Sequence, residues 1–88
     1  MKSGTQIAYI PTHAGGDINH PDVEFGFVTS KGYDESYFCR YWRKGHLGEL
    51  RTLANSESTT AYLLVEHESV SQEVVDEWIF LINKEKYG

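Results

Sequence analysis

Four side chains in one loop carry the donor types of a metal site: His13, Asp17, His20 and Asp22, spaced H-x3-D-x2-H-x-D. Imidazole nitrogens and carboxylate oxygens of this kind hold zinc or another divalent ion. The same residue types also order loops without any ion. Asp17 and Asn19 can cap local turns, and His20 ahead of Pro21 can hold an extended bend. Such spacing is easily met by chance on a long loop, and no cysteine stands nearby to close a site. The sequence therefore favours a hydrogen-bonded loop and no cofactor, with metal binding by these four residues as the weaker alternative.

Two further groups have chemical character. Phe38, Arg40, Trp42, Arg43, Lys44 and Arg51 set aromatic rings beside positive charge. On a small barrel such a face can stack bases while cations hold phosphates, or cage a methylated side chain. The competing and favoured reading places Phe38 and Trp42 beneath a helix. Glu73, Asp76 and Glu77, with Glu66 and Glu68 before them, could present carboxylates in the manner of DNA phosphates to a basic partner. The simpler reading is dipole stabilisation and solubility. Cys39 reads as a buried structural thiol. Neither His46 nor His67 has neighbours that suggest a triad, and Gly15–Gly16 lacks the lysine and helix of a phosphate loop. The chain is not expected to be an enzyme.

The elements that position these groups follow from hydrophobic period. Gln6–Ile10 is a short apolar run with Ile7 and Tyr9 on one face, ended by Pro11. Thr12–Asp22 is loop. Val23–Ser30 alternates, with Val23, Phe25 and Phe27 on one face and Glu24, Gly26 and Val28 on the other. Gly26 at its centre marks a bulge, a bend or a close backbone approach. After a turn at Lys31–Glu35, the third strand, Ser36–Trp42, sets Tyr37, Cys39 and Tyr41 against Phe38, Arg40 and Trp42. A loop at Arg43–Gly48 leads to a fourth strand at Glu49–Ala54. A helical turn fits the polar stretch Asn55–Thr60, and a fifth strand fits Ala61–Glu66. The period then changes. Ser69 and Gln72 fit a capping box, and Val74, Val75, Trp78, Ile79, Leu81 and Ile82 recur as on an amphipathic helix.

The 88 residues are expected to form one domain, with a barrel over 1–67 and a helix over 68–88. Aromatics are 14% of the chain, which suits a small core. A single cysteine excludes a disulfide framework, and MKSGTQ lacks the apolar stretch of a signal peptide. No run is long enough to span a bilayer. A reducing, cytoplasmic setting is expected. The net charge of −5 is uneven: residues 1–54 balance, so the excess lies in 55–88. An acidic chain argues against non-specific nucleic-acid binding.

The run IAYIPTHAGGDINHPDVEFGFV, followed by YFCRYW, resembles a set of short bacteriophage and prophage proteins of uncharacterised activity. Their pattern is an apolar strand, a PxHAxGD-x-x-HPDxE loop, a G-V-V strand and an alternating V-F-V-R-F strand. The match covers Ile7–Val28 and Tyr37–Tyr41, about half the chain. Phe27 departs from it, as does the C-terminal helix. The resemblance implies an SH3-like, KOW-like barrel and a phage origin. The fold expected is thus mainly β: a small five-stranded SH3-like barrel with a C-terminal α-helix. The function expected is an accessory protein in the cytoplasm of a bacterial host, acting through a protein partner such as a host factor that it modulates, with a nucleic-acid-binding barrel as the alternative. The helix could also serve a homo-oligomer.

Overall fold

Alternating apolar residues generate the two long strands at the centre of the molecule. In the computed structural model, which describes residues 1–87, β1 is Gln6–Tyr9, β2 is Glu24–Lys31 and β3 is Ser36–Arg43. β2 pairs antiparallel with both, placing Ile7 opposite Gly26, Gly26 opposite Tyr41 and Val28 opposite Cys39. The register then shifts between Val28 and Ser30, so Thr29 is the bulged residue. Its hydroxyl donates to the Phe38 carbonyl and meets the Ser56 hydroxyl. Gly26 is a close-approach glycine: a β-carbon there would lie 2.0 Å from the Arg40 carbonyl oxygen.

The second half departs from expectation at its polar segments. The fourth strand, β4, is His46–Leu50 and not Glu49–Ala54, beginning inside the expected loop. Where a helical turn was expected, Glu57–Thr60 forms β5, paired with the start of β3 from Ser36↔Thr60 to Cys39↔Glu57. The turn falls later, as a 3-10 turn at Ala61–Leu63, which leaves only Leu64–Glu66 for β6. Among the described residues there are thus six strands, one more than the five expected. β6 returns to pair with β1. The order β4-β3-β2-β1-β6, with β5 also on β3, is that of an open antiparallel sheet. β4 and β6 are its two ends, and among the described residues no ladder closes it into a ring.

The sheet buries both faces. Ile7, Val28, Cys39, Tyr41 and Leu64 form one core. On the other face, Phe27 and Trp42 pack against Val75 of helix α1, Gln72–Tyr87, with Val74, Trp78, Ile79 and Ile82 around them. The helix begins later than residue 68, and Gly88 lies outside the described residues. Leu81 faces outward, as does Phe80. The indole N–H of Trp78 donates to the Gly48 carbonyl at 2.7 Å.

The capping box does not form. Ser69 Oγ is buried without a partner, and the Gln72 amide reaches the Gly4 carbonyl at 3.0 Å. The segment before the helix is instead held by Gln6, a buried residue of β1. Its Oε1 accepts from the Ser69 and Val70 amides, both at 3.1 Å, and its Nε2 donates to the Val70 carbonyl at 2.8 Å.

Candidate functional site

The loop between β1 and β2 is built from successive local turns. A 3-10 turn at Thr12–Ala14 is followed by backbone bonds from Asp17 to Ala14, His20 to Asp17 and Val23 to His20. Pro11, Ala14 and Val23 are buried and fix the loop to the sheet. This path brings His13, His20 and Asp22 together, with one donor atom of each within 4.8 Å of the others. His13 Nε2 lies 2.7 Å from Asp22 Oδ2. The Asp22 amide donates to His20 Nδ1 at 3.0 Å, and that nitrogen is 4.0 Å from Asp22 Oδ2. The bond with His13, before all other influences, holds the Asp22 carboxyl below its ordinary range. Asp17 stays out of this group: its Oδ1 accepts the Asn19 amide at 2.9 Å, the local turn cap that its type suggests.

The aromatic and basic residues of β3 and its surroundings do not form one face. Trp42 is 3% exposed and lies under α1, so it offers no stacking platform. Phe38 is half-buried. Arg40 donates to the Leu53 carbonyl at 3.0 Å, and burial lowers its pKa. Arg51 bridges Glu24 and Glu57, and the bond it donates to Glu57 is the main cause of its raised pKa. Arg43 and Lys44 are exposed, and neither has an ion-pair partner among the described residues.

These two free cations border a groove of about 400 Å³ between the β1–β2 loop and the β3–β4 hairpin. Its lining includes Ile18, Pro21, Val23, Phe25, Trp42 and Leu47. Glu24 also reaches it, with its charge already met by Arg51. No protein-family model, curated protein or solved structure matches this chain. The groove is therefore read from its own lining. It is mostly apolar, with Asn19 and His20 on the loop side and cations at one rim, and Leu47 is 54% exposed. A larger cleft of about 630 Å³ beside Lys2–Gln6 is edged by Glu66, Glu68 and Asp76 and lacks a comparable apolar lining.

The sequence did not reveal the groove, because its walls lie some 20 residues apart along the chain. The acidic residues Glu73, Asp76 and Glu77 are exposed on α1. Asp76 accepts from Gln72 at 3.1 Å. Cys39 is fully buried, and burial pushes its thiol up to about 11. Among the described residues no helix is long and apolar enough to cross a membrane.

Proposed function

We propose that this chain is a non-enzymatic accessory protein of a bacteriophage or prophage, acting in the bacterial cytoplasm as a protein-interaction module. The observation that carries the reading is the apolar groove rimmed by Arg43 and Lys44. Small binding sites are concave and mostly apolar, with a few polar groups that fix orientation. Charge complementarity names the occupant: a short partner segment with a bulky apolar anchor beside Asp or Glu. The β1–β2 loop motif supports the phage assignment, and modulation of a host factor fits such a module.

Selection from a library of displayed random peptides tests the reading. Enriched peptides should pair an aromatic or branched aliphatic residue with acidic neighbours. Their binding should shift amide resonances in 18–25 and 42–47, and it should be lost in Leu47→Asp. Failure to enrich any peptide, or shifts confined to another surface, would overturn it. The nucleic-acid alternative lacks a supporting observation, because Trp42 is covered and Arg40 and Arg51 are engaged within the chain.

A further inference from the structure

We propose that His13, His20 and Asp22 form a three-ligand site for a divalent transition ion of the zinc type. The inference does not rest on the groove's occupant, although His20 also lines the groove. It rests on the convergence of two imidazoles and one carboxylate from a loop whose ends are buried. The three donor atoms lie within 4.8 Å of one another before any ion is bound.

The spacing suits the chemistry. Two ligands of one ion at a metal–nitrogen distance of about 2.0–2.1 Å stand about 2.9–3.4 Å apart, for octahedral or tetrahedral angles. His13 Nε2 and Asp22 Oδ2, at 2.7 Å, need to part only slightly. His20 Nδ1, at 4.0 Å from the same oxygen, needs to approach it by about 0.6–1.1 Å, and no pair of the three starts farther apart than 4.8 Å. His13 and Asp22 are exposed, at 62% and 55% of the side chain, and His20 is half-buried at 29%.

The tautomer of His20 is compatible, and that of His13 has to change. The neutral His20 ring accepts the Asp22 amide at Nδ1, which leaves its proton on Nε2. The Nδ1 lone pair is therefore free of a proton and directed toward Asp22. To ligate, the His20 ring would have to turn this lone pair from the Asp22 amide toward the ion, leaving that N–H to solvent. At His13 the proton that Nε2 shares with Asp22 would have to pass to Nδ1 through solvent, so that Nε2 can ligate as the unprotonated nitrogen.

Two nitrogens and one oxygen favour zinc, cobalt, nickel or copper over magnesium or calcium, which take oxygen ligands. Three protein ligands leave at least one coordination position for water. Asp17 is excluded because its carboxylate already caps Asn19. Binding would clamp the first part of the loop, at His13, to its last part, at Asp22.

The test is titration of the intact protein with Zn²⁺ by calorimetry, and with Co²⁺ by visible absorption. One ion per chain is expected. Affinity should fall by about tenfold or more in His13→Ala and in Asp22→Asn, and stay unchanged in His46→Ala and Asp17→Asn. Zinc-induced changes in the imidazole resonances should be confined to His13 and His20. The proposal is overturned if the wild-type chain takes up no ion, if His13→Ala binds as well as wild type, or if His46→Ala removes binding.

Discussion

Gln6 supplies from the opposite end of the chain the hydrogen bonds that a local cap would give the helix start. It is 6% exposed, and its amide meets both the Ser69 and Val70 N–H groups and the Val70 carbonyl. Gln6→Ala strands these groups in a partly buried place and should cost about 2–3 kcal/mol in urea unfolding. Ser69→Ala removes a hydroxyl that already lacks a partner, so it should change stability by less than about 0.5 kcal/mol. That contrast separates the long-range clamp from the capping box that the sequence suggests. Gly26→Ala should cost about 3 kcal/mol by the same measurement, because the added carbon meets backbone of β3 and not a yielding side chain. Cys39 makes the fold sensitive to alkali. Burial raises its thiol from 9.0 to about 11, so between those values the unfolded chain has lost a proton that the folded chain keeps. Stability from this group is complete below pH 9 and falls by ~2–3 kcal/mol as pH rises to 11. Tyr41 is also raised by burial and adds to the loss at higher pH. In Cys39→Ala the fall between pH 9 and 11 should be shallower than in wild type.

Helix α1 links the two halves of the chain through Val75, Trp78 and their contacts with Phe27 and Trp42. Trp78→Ala removes that packing and the bond to Gly48, and should cost about 3 kcal/mol. Leu81→Ala, on the outward side, should cost less than about 0.5 kcal/mol by the same denaturant midpoint. The difference bears on what a sequence can say about an element. The helical period was legible from Val74 to Ile82, but period alone put Leu81 on the buried stripe, and only packing against the sheet shows which edge of the stripe is exposed. β2 and β3 were legible because their alternating side chains are sorted by two cores, one on each face. β5 was not, because Glu57–Thr60 is held to β3 by backbone hydrogen bonds that leave little trace in residue type. The candidate site divides in the same way. Asp17 as a turn cap is a local matter and could be read in advance. The convergence of His13 with Asp22 needed the intervening turns, and the capture of Arg51 by Glu24 and Glu57 needed the strand order.

For the whole molecule, charge placement decides how a partner would be met. The excess of −5 lies in residues 55–88, while Arg43 and Lys44 at the groove stay unpaired and exposed among the described residues. A net acidic chain repels an acidic segment at long range, so attraction must be local to the rim and act within a Debye length of about 8–10 Å. Exposed ion pairs contribute roughly 0.2–1 kcal/mol each, so the two cations together should supply about 1 kcal/mol. The rest must come from the apolar lining, which salt does not screen. A selected acidic peptide should therefore lose about fivefold in affinity in the variant carrying both Arg43→Gln and Lys44→Gln, with the loss concentrated in the association rate. Raising the salt to 0.5 M should weaken the wild type by a similar factor and leave the double variant nearly unaffected, while Leu47→Asp should abolish binding at either salt. Surface plasmon resonance at two ionic strengths reads all three outcomes. Equal salt dependence in wild type and double variant would show that the rim cations do not select the partner, even if the groove binds it.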